Sequence, residues 1–507
     1  MNDRSPRNRG PQRGPDRVRQ VAYRVIRQVT AEGGYANLAL NKALREARLS
    51  GRDAAFCTEL VHGTLRWQGT YDAFLARSVS RPLDELDPEL LDMLRLGSHQ
   101  LLNMRVDSYA AVSEMVSLTR SELGQKRTGL VNAVLRKISQ RSLDQWITTV
   151  APRWEDDPLG HLAIAEAHPR WVIEAFQQAL TPAKPADRAG LGEPAGSAER
   201  AVPGDRAGTE VVSGDRPDAG LGEPGAWGEQ LAVGLEELLV ADNEPPRVTL
   251  VARPGLSDVD ELVAAGAVAA RWSPYGAVLG GGGDPGRIGA VATGRAGVQD
   301  EGSQLVAIAL ASAKVDGDDA NWLDLCAGPG GKSALLAALV KDGRLTAVEP
   351  LKHRAELVRQ NLRAIPGDHK VLVGDGTKPT WPAGSFDRVL ADVPCSGLGA
   401  LRRRPEARWR RTPQDVEELR PLQEALLDSA ITSVRPGGVV AYVTCSPHPD
   451  ETRAVVDTVL AGRDDAALED ARALFPGVPD LGDGPDVQLW PHLHGTDAMY
   501  LALVRRS

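Results

Sequence analysis

The apolar positions of the chain change rhythm three times. From Asp16 to Gln140 they recur at helical spacing, broken by Glu32-Gly33-Gly34 and Ser50-Gly51-Arg52. The strongest stripes are Leu90, Leu91, Met93, Leu94 and Leu96, then Leu130, Val131, Ala133, Val134, Leu135 and Ile138. Asp107 is placed to cap a helix beginning near Tyr109. These patterns predict an all-α domain over residues 16–145 and a helical bridge over 146–180, with a helix from Val172 to Leu180. Residues 181–228 then lose periodicity. Ala189-Gly190-Leu191-Gly192-Glu193-Pro194 returns as Ala219-Gly220-Leu221-Gly222-Glu223-Pro224, but two separated copies cannot stack, so a flexible low-complexity insertion is expected. Residues 229–296 mix a helical Leu235–Leu239, an extended Arg247–Val251 and a helical Val259–Ala270, which predicts a small α+β subdomain. Gly280 to Gly283 lack the frame of a phosphate-binding loop and are read as a loose connection.

Over residues 297–507 strands and helices alternate. Strands are expected at Asn321–Leu325, Arg344–Val348, Val371–Val373, Phe386–Ala391 and Val439–Val443. Helices are expected to Ala313 and over Ser333–Val340, Leu351–Ala364 and Pro413–Val434. Such alternation predicts a parallel, doubly wound α/β sheet of the Rossmann-like kind, and right-handed crossovers bring the loops after the strands to one edge.

Composition refines this picture. A chain of 507 residues exceeds one core, while 52 glycines, 35 prolines and only 4% aromatics point to unstructured stretches beside the folded parts. The four cysteines, Cys57, Cys326, Cys395 and Cys445, form no CxxC pair and no zinc or disulfide spacing, which suits a reducing cytoplasm and no metal. The amino terminus has no apolar leader and no run of about 18 apolar residues occurs, so a soluble protein, off the membrane, is expected. It is taken as a monomer. The net charge of -9 excludes a uniformly basic coat, yet two basic patches stand out. One is an arm over residues 1–15, with Arg17 and Arg19 just beyond it; the other is Arg402, Arg403, Arg404, Arg408, Arg410 and Arg411 around Trp409.

The candidate chemistry gathers at the predicted sheet edge. The first strand runs into Cys326-Ala327-Gly328-Pro329-Gly330-Gly331-Lys332 and then a helix, so glycines permit close backbone approach and a helix start offers free amides. The loop fits neither GxxxxGK[ST] nor GxGxxG. Glu349 at the next strand end is placed to grip a ribose diol, Asp375 one strand further to meet an adenine amino group, and Asp392 follows on the fourth strand. Together they predict a nucleoside site occupied by S-adenosylmethionine. Cys395, in Asp392-Val393-Pro394-Cys395, and Cys445, in Tyr442-Val443-Thr444-Cys445-Ser446, bring two thiols beside this methyl donor. Carbon 5 of a pyrimidine becomes nucleophilic once a thiolate adds at carbon 6, and an acid such as Asp392 can stabilise the density built on ring nitrogen 3. Spacing leaves open which cysteine attacks.

The segments QDEGSQLVA (Gln299 to Ala307), DLCAGPGGK (Asp324 to Lys332), DVPCSGLG and YVTCS resemble the Sun/Fmu (RsmB) branch of the RNA cytosine carbon-5 methyltransferases, within the Nop/Sun family. Ala54 to Gly63, Met93 to Gly97 and Gly129 to Arg136, with Asn132 and Arg136 as the distinctive letters, resemble the NusB-type RNA-binding domain. The resemblance implies that Cys445 is the nucleophile and Cys395 assists product elimination. It implies that Cys326 through Lys332, Glu349, Arg354, Asp375 and Asp392 line the S-adenosylmethionine site, and that the substrate is a cytosine of 16S ribosomal RNA. A transfer RNA substrate, or a non-catalytic RNA-binding assembly factor, are the alternatives. Val393, Val443 and Glu349 depart from the usual family letters. Target bases would arrive unpaired or flipped, and Arg402 to Arg411 with Trp409 are the expected RNA contact surface.

Overall fold

A computed structural model describes residues 16–181, 231–280, 284–341 and 343–507. The basic arm, the insertion from residue 182 onward and residues 281–283 of the glycine run lie outside the described residues.

Eight helices build the amino-terminal domain: Arg17–Glu32, Ala36–Ala47, Gly51–Arg66, Gln68–Ala76, Pro88–Leu102, Ser108–Glu122, Thr128–Ile138 and Leu143–Val150. Their starts follow local chemistry. The Asp16 carboxylate accepts from the Arg19 amide and that of Asp107 from Ala110, both at 2.9 Å, satisfying amides that the first turn leaves free. Gly33 ends the first helix at φ 72°, a left-handed conformation that glycine adopts without penalty. The inward faces meet in one core containing Ile26, Leu60, Phe74, Met93, Leu94, Leu135 and Ile138. Trp146 belongs to this core rather than to the bridge: it stacks on Phe74 with centroids 5.4 Å apart and its indole donates to the Ile138 carbonyl at 2.9 Å.

The bridge helices Pro158–Ala165 and Arg170–Leu180 pack with helix Leu235–Asn243. The sequence reading placed that last helix in the small subdomain, but its buried Leu235, Leu238 and Leu239 face Val172, Ile173 and Phe176. The small subdomain itself is a four-stranded antiparallel sheet of β1 (Thr249–Ala252), β2 (Ala267–Ala269), β3 (Gly276–Leu279) and β4 (Ala296–Val298), in the order β2-β3-β1-β4.

The large sheet comprises β5 (Asn321–Asp324), β6 (Arg344–Glu349), β7 (Lys370–Val373), β8 (Phe386–Asp392), β9 (Val434–Thr444), β10 (Ala466–Glu469), β11 (Val487–Gln488) and β12 (Tyr500–Arg506). Its order is β10-β12-β9-β8-β5-β6-β7, with β11 beside β12. Strands β5 to β9 are parallel, as expected. The last three are antiparallel to their neighbours, which the alternating pattern did not reveal. Chain order reverses at β5: β6 lies on one side and β8 on the other. Open α/β sheets form their ligand crevice at such a switch point.

The two halves join at Arg408, which is fully buried. Its guanidinium donates to the Ala167 carbonyl and the Asn243 side chain, each at 2.9 Å, and to the Asp242 carbonyl at 3.2 Å. Burial lowers the Arg408 pKa to about 9, against the pull of the Asp242 charge. The Asp242 carboxylate is itself buried and stands 3.7 Å from His168 Nε2. Replacing Arg408 by Met removes the positive partner of a buried carboxylate and the donors for three oxygens. The expected cost is about 3–5 kcal/mol, seen as a lower midpoint of urea denaturation; an unchanged midpoint would contradict this account.

Candidate active site

Parallel pairing of β8 with β9 sets Asp392 opposite Val443, so the residues following each strand run side by side. The Val393 amide donates to the Val443 carbonyl at 3.0 Å and the Gly399 amide to the Cys445 carbonyl at 2.9 Å, lacing the two loops together. Gly399 has no room for a side chain: a Cβ there would lie 2.1 Å from the Ala498 carbonyl oxygen. Beneath the loops, buried Glu451 accepts from the Ser396 amide at 2.6 Å, from the Ser396 hydroxyl, and from the Gln423 side chain at 3.1 Å. Gln423 also donates to the Pro394 carbonyl at 2.9 Å. Sequence reasoning missed Glu451, since a lone acid in a polar stretch carries no mark of burial.

This frame brings Cys395 Sγ to 3.4 Å from Cys445 Sγ. The contact between the two sulfurs holds Cys445 below the usual thiol range and pushes Cys395 well above it. Burial opposes ionisation of Cys445, as does the Asp392 charge; the positive charges of Arg404 and Lys332 favour it. Cys445 is therefore the more readily ionised sulfur of the two. Beside them the Lys332 ammonium donates to Asp392 Oδ2 at 2.8 Å. Burial works against the Lys332 charge, but Asp392 outweighs it and the pKa of the amine rises.

The loop from Cys326 to Lys332 leaves β5 at the switch point and enters helix Gly331–Leu339. Gly330, at φ 111°, passes so close to the next helix that a Cβ would meet Val358 Cα at 2.9 Å. At Gly328 a Cβ would fall 2.1 Å from Glu349 Oε2. Glu349 is buried under the loop, accepting from the Gly328 amide at 3.1 Å and the Leu351 amide at 3.0 Å, while Arg354 donates to the Gly328 carbonyl at 2.6 Å. A bare backbone over a fixed carboxylate, followed by a helix start, suits a polar ligand bearing a diol and a carboxylate. Asp324, which the sequence reading left within its strand, lies beneath: it accepts from the Ser333 hydroxyl at 2.6 Å, and burial pushes it up to about 7. Asp375 stays at the rim, exposed, accepting from the Thr377 amide at 3.0 Å and the Thr377 hydroxyl at 2.8 Å.

The arginine loop is mostly not the open surface expected of an RNA contact. Arg402 is buried and pairs with Asp497 at 3.2 Å, Arg403 pairs with Asp300 at 2.5 Å and Asp497 at 2.9 Å, and Arg408 is the buried joint described above. The Trp409 indole donates to the Leu65 carbonyl at 2.7 Å, with its ring against Gly69. Arg410 binds the carbonyls of Val29 and Gly34 at 2.6 Å and Gly33 at 2.9 Å; Arg411 binds the Ser396 carbonyl at 3.1 Å and Asp415 at 3.0 Å. Charge density suggested phosphate, but backbone carbonyls and carboxylates of the other elements take up these donors. Arg404 alone of the six remains exposed with no side-chain hydrogen bond or ion pair among the described residues; its guanidinium lies 5.8 Å from the Tyr35 ring centroid.

A switch-point glycine loop beside an acid and two apposed thiols defines a Rossmann-type methyltransferase. Residues 309–505 match the family model described as 16S rRNA methyltransferase RsmB/F, and residues 16–140 match the NusB family. A relative from Mycobacterium tuberculosis that carries a methyltransferase designation is 47% identical, over 99% of both chains. The ribosomal RNA small subunit methyltransferase B of Shewanella oneidensis is 29% identical over 97% of this chain and 99% of its own. The crystal structure of PH0851 superposes with a TM-score of 0.73 at 20% identity, covering 97% of this chain and 99% of that one, and so shares the fold. The chain belongs to the RsmB/F methyltransferase family and carries an amino-terminal NusB-family domain.

The asymmetry of the thiols predicts their reactivity. Iodoacetamide should alkylate Cys445 ahead of Cys395, with a pH midpoint below that of a free thiol, because the thiolate persists to lower pH. Cys395→Ala removes the sulfur contact and should move the Cys445 midpoint upward, and Lys332→Met should do the same. Equal alkylation of both sulfurs, followed by mass spectrometry, would count against this assignment.

Proposed function

We propose that this protein uses S-adenosylmethionine to form 5-methylcytosine in the RNA of the small ribosomal subunit, through a covalent bond between Cys445 and carbon 6 of the base. The observation that carries the proposal is the pair of sulfurs 3.4 Å apart at two adjoining strand ends, beside the Lys332–Asp392 ion pair. The names of the small-subunit methyltransferase relatives support the substrate.

In this reading Cys326 through Lys332 give backbone contacts to the cofactor, Glu349 receives its ribose, Arg354 braces the loop, and Asp375 closes the adenine side. When bound, the cofactor supplies an electrophilic methyl group on a sulfonium. The Cys445 thiolate adds to carbon 6, and the electron pair of the 5,6 double bond moves toward carbon 5 and the ring. The Lys332–Asp392 pair holds a proton at ring nitrogen 3, which offsets the charge built there. Once carbon 5 carries its methyl group, the proton on that carbon leaves to a base. The pair then re-forms the double bond and expels Cys445. Cys395, 3.4 Å from the departing sulfur, serves this elimination.

Two variants separate the roles on small-subunit RNA with methyl-labelled cofactor. Cys445→Ser should reduce labelling to background, whereas Cys395→Ser should accumulate a denaturation-resistant protein–RNA adduct. Label at a position other than carbon 5 of cytosine, transfer to transfer RNA alone, or RNA binding without transfer by the unaltered enzyme would each overturn the proposal.

A further inference from the structure

The only strongly exposed aromatic facing the catalytic loop from the other domain, among the described residues, is Tyr35. It precedes helix Ala36–Ala47 and is 55% exposed, and Leu38, one turn on, is 64% exposed. Both are large side chains with broad apolar surface left in water, while the intervening Ala36 is buried. Their position is not loose. Buried Glu406 accepts from the Ala36 amide at 3.2 Å, and Arg410 grips the Gly33 and Gly34 carbonyls, so the catalytic loop clamps this segment immediately before and after the tyrosine.

The same loop leads back to the thiols. The Arg404 amide donates to the Ala400 carbonyl at 3.1 Å, one turn from Gly399, whose amide is bonded to the Cys445 carbonyl at 2.9 Å. Arg404 thus belongs to the loop that is bonded to Cys445, its charge favours ionisation of that thiol, and its guanidinium lies 5.8 Å from the Tyr35 ring centroid. An exposed ring, an adjoining aliphatic side chain and an arginine without an anionic partner match the needs of one unpaired nucleotide: an apolar face for the base and a cation for its phosphate.

We propose that Tyr35 and Leu38 of the amino-terminal domain, with Arg404 of the catalytic domain, form a composite platform that takes the unpaired nucleotide next to the target base. The base lies on Tyr35 and Leu38, and Arg404 holds its phosphate. The platform rests on the reading of the protein as an RNA methyltransferase. It adds that the helical domain contributes directly to the mouth of the active site, beyond carrying RNA from a distance.

The test uses the full chain and small-subunit RNA. Tyr35→Ala should raise the KM for RNA about tenfold, the loss of one stacked base, with kcat and the KM for S-adenosylmethionine unchanged. Tyr35→Phe keeps the stacking face and should restore the KM. Arg404→Gln should weaken binding and flatten the salt dependence of RNA affinity by about one unit of slope. Ultraviolet irradiation should link Tyr35 to RNA in the unaltered protein, as read by mass spectrometry. An unchanged KM in Tyr35→Ala together with no link at Tyr35 would overturn the platform and leave the patch to a protein partner. Should the unaltered enzyme bind RNA and transfer no methyl group, the proposed function fails. The link at Tyr35 and the loss of affinity in Tyr35→Ala still decide the platform.

Discussion

The parallel pairing of β8 with β9 is the constraint on which the site depends. Two consecutive strands, linked by a helical crossover, end level with one another, and the chemistry that follows each is thereby forced into contact: a Pro-Cys loop from one, a Thr-Cys-Ser loop from the other. With the sulfurs 3.4 Å apart, only one can ionise readily, because a second negative charge at that distance would be repelled in a half-buried setting. The contact itself divides the labour. Cys395 becomes the harder to ionise and Cys445 the easier. Glu451, Gln423 and Ser396 do no chemistry, yet they fix the Pro-Cys loop from below.

A second interaction layer links that loop to the amino-terminal domain. Arg411 holds the Ser396 carbonyl, Arg410 the end of helix Arg17–Glu32, Trp409 the Leu65 carbonyl, and Arg408 the bridge. A run of arginines is an economical way to join irregular elements, since each guanidinium can satisfy several carbonyls at once and helix ends present carbonyls without partners. The position of the RNA-binding-type domain relative to the thiols is thus set by hydrogen bonds that begin one residue from Cys395.

Much of this was legible in the sequence. The five parallel strands, the glycine loop at the switch point, Glu349 behind it and the thiols at two strand ends all follow from alternating apolar runs and the residues that interrupt them. Asp107 announced its helix because an N-cap is a local signal. Three features were not legible, each for a physical reason. The antiparallel strands β10 and β11 are short, and the pairing of β12 with β9 joins segments far apart in the chain. Trp146 and helix Leu235–Asn243 change domain allegiance because amphipathicity tells that a face is buried but not against what. The arginine loop was misread because guanidinium groups bind backbone carbonyls and carboxylates as well as phosphate, and only packing distinguishes these uses.

The buried arginine joint also bears on why both domains share one polypeptide. Its contacts are polar and directional, and a guanidinium loses strong hydration on entering such a site. Two separate proteins would have to meet that loss together with the loss of free translation and rotation at every encounter. Covalent linkage removes the second part, because the joint forms at the high effective concentration set by the chain itself. Arg408 on the bridge, with Trp409 and Arg410 on the amino-terminal helices, can therefore keep the helical domain docked beside the thiols throughout turnover.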